Sequence, residues 1–247
     1  MTPLLELADV TKSFGGILAN DRVSLRVEPG SIVGLIGPNG SGKTSLFNAV
    51  TGVFPIDSGS IRFRGEDISK LLAGEIARAG IVRTFQQPRI YRAMSVAANM
   101  LVSAAIRRTA FADLFRRDRP GTGAKIAELL AFVGLDRKQS IRAGELSFGQ
   151  QKLLELAVAL VNEPELLLLD EPTAGINPVL IERLVDRLKT VNREQGLTLL
   201  VIEHNMPVIM GLADHIYCLA HGRLLAAGKP QDIRQDPQVL DAYLGAA

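Results

Sequence analysis

At 247 residues and 47% hydrophobic, the chain is long enough for one large α/β domain or a domain with an insertion, and too apolar to be disordered. A formal charge of +2 gives no case for a nucleic-acid surface, and no run of about 18 apolar residues marks a membrane span. The opening MTPLLELADV carries acids where a secretion signal has basic residues, and Cys218 has no cysteine partner, so the expectation is a soluble cytoplasmic chain with Cys218 as core filler.

Residues 4–10, 23–27 and 61–64 alternate apolar and polar side chains and predict half-buried antiparallel strands that form a small sheet. Phe14, in the link KSFGG, either stacks on a purine or packs into that sheet. The apolar run 31–36 reads as a buried strand, and Thr44 to Val50 reads as a helix closed by Gly52. Between them stand Gly37, Pro38, Asn39, Gly40, Ser41, Gly42, Lys43 and Thr44, which fit G-x-x-x-x-G-K-[ST]. Glycines at these positions let backbone N–H groups turn inward on an anion at a helix N-terminus. Lys43 reaches β- and γ-phosphates and the Thr44 hydroxyl can ligate Mg²⁺, so the loop predicts a bound nucleoside triphosphate.

A helix is expected over 68–79 with Gly80 past its end, then a strand over 81–85 that delivers Gln86 to a loop. A glutamine there either meets Mg²⁺ or attacking water, or is simply solvated. Residues 88–144 show no strand signal. Helical spacing over 95–108 and 123–133, the second with Ile126, Leu129, Leu130 and Val133, predicts an inserted helical subdomain. Its linker at 115–123 is the expected mobile segment, and Arg107, Arg108, Arg116, Arg117 and Arg119 form either a solvated face or a surface near lipid head groups. Ser147 in LSFGQQ is placed to cap a long amphipathic helix, whose N-terminus with Gly149 suits a second phosphate contact.

The run LLLLDE predicts a buried parallel strand ending in Asp170 and Glu171, at the edge where α/β sheets bind ligands. Asp170 is expected to partner Mg²⁺ directly or through a bound water, and Glu171 can polarise water for attack on a γ-phosphate; otherwise the two acids cap the next turn. Asn177-Pro178 starts a further helix that ends at Gly196. A strand over 198–202 then brings His204 to the same edge, where it either contacts the γ-phosphate or is structural. His215 and His221 have no metal-site spacing. A hairpin turning at His221-Gly222 and a short helix ending at 239–244 complete the chain.

Taken together and in order, GPNGSGKT, RTFQQ, LSFGQQ, LLLLDEP, AGINP and VIEHN resemble the ATP-binding cassette family along essentially the whole length. The resemblance implies an α/β fold, a P-loop NTPase (RecA-like) core with an N-terminal antiparallel β subdomain and an inserted α-helical subdomain. The division it suggests is 1–87, 88–146 and 147–247. It implies ATP hydrolysis with Mg²⁺ held by Thr44, Gln86 and Asp170, Phe14 stacked on adenine, Glu171 as general base and His204 on the γ-phosphate. It further implies a head-to-tail dimer in which residues 37–44 and Ser45 of one subunit face Ser147, Gly149 and Gln150 of the other.

Within the family, FGGILANDRVSL, RTFQQPRIY, IEHNMPVIMGLADHIYCL and VLDAYLG look most similar to ATPase subunits of branched-chain amino acid importers, a group that also takes related small polar solutes, so the resemblance leaves the cargo open between them. The ATPase of lipopolysaccharide export shares the histidine context, and a soluble ABC ATPase that clamps nucleic acid or ribosomes is the reading of another class. The implied partners are membrane permease subunits, a second ATPase subunit and, indirectly, a periplasmic or extracellular binding protein, with no nucleic acid. The implied location is the cytoplasmic face of the cell membrane. Phe148 replaces a common glycine and Asn177 a common aspartate of the family, so hydrolytic rate and site symmetry do not transfer directly.

Overall fold

The computed structural model describes residues 2–106 and 121–244. Arg107 to Arg119 and the linker residues 115–120 lie outside the described residues. The chain divides into two compact units, the first comprising residues up to Arg83, Glu165–Pro172 and Lys189 onward, the second Thr84–Pro164 and Thr173–Leu188.

The first unit holds two sheets. One contains β1 (Leu5–Phe14), β2 (Ile17–Val27), β4 (Ser58–Phe63) and the two-residue β5 (Glu66–Asp67), all antiparallel in the order β2-β1-β4-β5. The other has the order β10-β9-β3-β8-β7-β6, from β3 (Ile32–Ile36), β6 (Ile81–Arg83), β7 (Leu166–Asp170), β8 (Thr198–Ile202), β9 (His215–Ala220) and β10 (Arg223–Gly228). Only the β9–β10 hairpin is antiparallel there. Strands β3, β7 and β8 are buried along their whole length, as their unbroken apolar runs require of central parallel strands. Phe47 from α1 (Lys43–Val50) and Phe63, Leu35, Leu168 and Leu200 from the sheets share one apolar core.

The second unit is helical, with α3 (Val96–Ile106), α4 (Thr122–Phe132) and α5 (Phe148–Leu160) packed together and the first part of α6 (Pro178–Gln195) included. Ile126, Leu129, Leu130 and Val133 are all buried, so the spacing that predicts α4 also names its core face. Among the described residues no helix is long and apolar enough to cross a membrane.

Several elements differ from expectation. The strands expected over 4–10 and 23–27 run on into a continuous hairpin, because Gly15 and Gly16 (φ 56° and 86°) form a two-residue turn that pairs Phe14 with Ile17. The helix expected over 68–79 begins only at Ala73 (α2, Ala73–Ala79). Before it, Asp67 Oδ1 accepts from Ser69 N–H and Ile61 N–H donates to the Ser69 hydroxyl, so local side-chain bonds hold 67–69 against the sheet. The strand expected over 81–85 stops at Arg83, and the Phe85 N–H donates to the Glu155 carboxylate at 3.2 Å instead of to a ladder. A seven-residue α7 (Met206–Leu212), capped by Asn205, was not expected. The C-terminal helix is two helices, α8 (Pro230–Gln235) and α9 (Pro237–Leu244), separated at Asp236 because Pro237 has no N–H to continue the first.

Candidate functional site

Strands β3, β8 and β7 end level, with Leu35 opposite Ile202 and Ile202 opposite Asp170. The loop 37–44, the Asp170-Glu171 pair and the Glu203-His204 pair therefore emerge from one edge of the sheet, the edge where ligands of α/β folds sit. The loop is tightly confined. A Cβ at Gly37 would lie 2.1 Å from the Leu219 carbonyl oxygen, and one at Gly42 2.2 Å from that of Ala19. Gly42 also has φ 98° and precedes α1 without any side-chain cap. The first-turn N–H groups of a helix have no partner within the helix, so this N-terminus is suited to an anion. Asn39, Gly40 and Thr44 are exposed, Pro38 and Ser45 half-buried, and Ser41 buried.

The Lys43 ammonium folds back over the loop, donating to the carbonyl oxygens of Gly37 (2.8 Å) and Pro38 (2.9 Å) and to the Ser41 hydroxyl (3.3 Å). Burial pulls its pKa below the usual 10.5, opposed by the negative charge of Glu171 and Asp170 nearby. Asp170 is itself buried and paired with Arg83 at 2.7 Å, and Arg83 also donates to Asn48 Oδ1 of α1 at 2.6 Å. Arg83 thus ties the acid at the end of β7 to the helix that follows the loop. A sequence reading takes Arg83 as one more strand residue. Its only signal there is a cation at the end of a buried parallel strand, which demands a partner.

Glu171 follows β7 with φ 48°, a left-handed backbone uncommon for any residue but glycine, held by its N–H bond to the Ile202 carbonyl at 2.9 Å. His204 Nε2 stands 3.1 Å from Glu171 Oε1. Buried Glu203 orients that histidine, since its Oε2 accepts from the N–H groups of both His204 and Asn205 (2.8 and 3.0 Å). A carboxylate in contact with an imidazole, beside an anion-binding loop with a lysine, is equipped to take a proton from water next to a bound phosphate.

Phe14 lies at the hairpin tip, 46% exposed. It meets Phe54 edge-on at 5.0 Å, while Lys12 approaches both rings and pairs with Asp57 at 2.7 Å. Lys12 and Ser13 hold the Asp57 carboxyl down to about 2. Packing against Phe54 and exposure of the ring coexist.

Gln86, Ser147, Gly149 and Gln150 belong to the second unit. Gln86 is exposed in a loop that α5 anchors: Glu155 Oε1 accepts from Phe85 and Arg89 N–H, and Lys152 donates to the Phe85 carbonyl. Burial pushes the Glu155 carboxyl up, opposed by those two N–H groups. Ser147 and Gln150 cap α5 reciprocally, with Gln150 N–H donating to the Ser147 hydroxyl and Ser147 N–H to the Gln150 side chain. Gly149 is buried against Leu180, and Phe148 lies over Gly175, where a Cβ would come within 3.0 Å of its ring.

The ABC transporter family matches residues 20–174, more than half of the chain. The chain is 40% identical to the high-affinity branched-chain amino acid transport ATP-binding protein BraF of Pseudomonas aeruginosa, over 99% of both chains. It belongs to the ABC transporter family. A second match, to a branched-chain amino acid ATP-binding cassette transporter segment, covers residues 223–247. The ADP conformation of the ATP-binding cassette MJ1267 has TM-score 0.89 to this ABC ATPase at 32% identity, covering 99% of this chain and 100% of that one. The dimeric post-hydrolysis state of the cassette MJ0796, bound to ADP and Pi, has TM-score 0.80 at 25% identity, covering 92% and 98%. The P-loop NTPase architecture and the role of an ATP-binding, ATP-hydrolysing transport subunit follow from this membership.

Proposed function

We propose that this ABC ATPase powers uptake of branched-chain amino acids, with the loop 37–44 holding the ATP phosphates and Glu171 as the base. The contact that carries the reading is His204 Nε2 to Glu171 Oε1 at 3.1 Å, next to a loop lysine that responds to the charge of Glu171 and Asp170. The three loop oxygens that Lys43 now satisfies are exchangeable for phosphate oxygens, and the N-terminal N–H groups of α1 take the rest of that charge. Glu171 accepts the proton of the attacking water as its oxygen bonds to the γ-phosphorus and the bond to the ADP oxygen breaks. His204 holds that carboxylate in place and offers a contact to the transferred phosphoryl group.

Thr44 and Asp170 are oxygen donors, the hard kind that fits Mg²⁺. A bound Mg²⁺ would neutralise the charge of the β- and γ-phosphates. Phe14 supplies the face for adenine, and Ser147, Gly149 and Gln150 of a second subunit complete the site, an arrangement supported by the dimeric cassette. Permease subunits at the cytoplasmic membrane face, fed by a substrate-binding protein, are the expected partners. The similarity of the whole chain to BraF and of residues 223–247 to the branched-chain segment supports the cargo.

Glu171→Gln tests this reading. ATP affinity should stay within about threefold of wild type, while hydrolysis falls at least a hundredfold, on the order of what a lost general base costs. In cells, uptake of leucine, isoleucine and valine should stop. Hydrolysis at the wild-type rate would remove Glu171 from the mechanism; unaltered uptake of those three amino acids would remove the cargo.

A further inference from the structure

We infer that Tyr243, in the last turn of the C-terminal helix α9, is a positioning residue for the phosphate loop, acting through the backbone of Gly37. The inference rests on residues 37–44 being the nucleotide site. The Gly37 N–H donates to the Tyr243 hydroxyl at 2.7 Å, a bond between residues 206 positions apart. Gly37 directly follows β3, at the point where the sheet ladder stops and the loop begins. Its N–H is buried and needs an acceptor that the strand no longer supplies. The tyrosine oxygen is that acceptor.

The same residue is held from its other side. The Gly37 carbonyl accepts from Lys43 Nζ at 2.8 Å, and its Cα is wedged against the Leu219 carbonyl of β9, where a Cβ would sit at 2.1 Å. Tyr243, Gly37 and Lys43 therefore form one chain of bonds from the C-terminal helix to the phosphate-binding ammonium. When Lys43 turns from the Gly37 carbonyl to a phosphate, the tyrosine bond is what still fixes the strand end of the loop.

Helix α9 is built to deliver this hydroxyl. Asp236 Oδ1 accepts from the N–H groups of Gln238 and Val239 (2.8 and 3.3 Å), Pro237 occupies the first helical position, and Val239 is buried. Burial pushes the phenol up to about 12, opposed by the bond from the Gly37 N–H. Residues 223–247, the stretch that matches the branched-chain segment, thus include a residue that reaches the catalytic loop. Nothing in the local sequence around Tyr243 marks this, since the pairing is wholly long-range.

Tyr243→Phe in the full chain keeps the ring and removes only the acceptor. KM for ATP should rise about tenfold with kcat within about twofold, because a misplaced loop weakens ground state and transition state alike. Tyr243→Leu, which also loses ring packing, should raise KM to a similar extent and lower Tm in addition. In nucleotide-free wild type, the Gly37 amide should exchange with deuterium at least about a hundredfold more slowly than that of exposed Asn39, and Tyr243→Phe should erase most of that protection. A wild-type KM in Tyr243→Phe overturns the inference. A Gly37 amide that exchanges as fast as that of Asn39 in the wild type overturns it whether or not the variants fold. The exchange measurement needs no nucleotide, so it stands apart from the assignment of the phosphate site.

Discussion

Two helix N-termini carry the sequence patterns associated with phosphate, and they are built in opposite ways. Helix α1 starts at Gly42 with a left-handed backbone, no side-chain cap, and glycines pressed against backbone carbonyls of β2 and β9. Helix α5 starts at Ser147 with an ordinary extended backbone and a reciprocal cap from Gln150. The first has no side-chain cap and is held by the surrounding backbone. The second satisfies part of its own end, and so is a stable helix start whether or not a ligand arrives. A pattern of glycine plus hydroxyl can thus mean a site that depends on its ligand or one that merely accommodates it.

Alanine at the two glycines separates these cases most strongly. At Gly42 the new Cβ meets a backbone oxygen at 2.2 Å with φ 98°, so neither partner can yield cheaply. A loss of about 4 kcal/mol is expected from strain and overlap together. At Gly149 the obstacle at 2.5 Å is Leu180 Cδ1, the far end of a flexible side chain, and the loss should be about 1–2 kcal/mol. Urea unfolding of both variants decides it; equal losses would mean that α1 is no more tightly confined than α5.

The same contrast shows what a sequence displays and what it hides. The loop 37–44 and the strand ending in Asp170 and Glu171 are legible because their chemistry is contiguous: a strand, a turn and a helix start lie within a dozen residues. The hairpin at His221-Gly222 is legible for the same reason. Arg83 with Asp170, 87 positions apart, and Tyr243 with Gly37, 206 apart, leave no local trace. Helix α2 starts late because hydrogen bonds of Asp67 and Ser69 outweigh a run of acceptable helix formers. Helix α7 is only seven residues long, too few for a helical period to stand out. Glu155 did leave a signal, an acid among leucines in the middle of α5, which only a buried partner explains.

Lys43 tests whether α1 is organised for its ligand and not for its own stability. Lys43→Met should weaken ATP binding about a hundredfold, by loss of charge-assisted bonds to phosphate. Its effect on the nucleotide-free protein depends on pH, with a sign that can be worked out. Burial holds the folded pKa below 10.5, so the unfolded chain binds the proton more tightly than the folded one. Stability gained through Lys43 is therefore present above 10.5 and lost as pH falls through the lower folded value. Wild type should gain stability relative to Lys43→Met as pH rises toward 10.5. Wild type losing stability relative to Lys43→Met over that range would show that the loop favours the charged lysine before any phosphate binds.

The smallest effect in stability is expected at Ser147, and there the question is whether a capped end can also serve a ligand. The Ser147 oxygen accepts from Gln150 N–H at 3.4 Å, a long bond, so Ser147→Ala should cost about 1 kcal/mol or less. Accepting that bond leaves the hydroxyl proton available to donate, so the cap and a phosphate contact use different parts of one group. Aspartate separates them. It caps as well as serine, and Ser147→Asp should unfold within about 0.5 kcal/mol of wild type. It also sets a negative charge where a phosphate would approach, so ATP hydrolysis should drop in the Asp variant more than in the Ala variant, despite its greater stability. If hydrolysis instead follows stability, with Asp above Ala, the hydroxyl of Ser147 is a cap alone and α5 owes its glycine to Leu180.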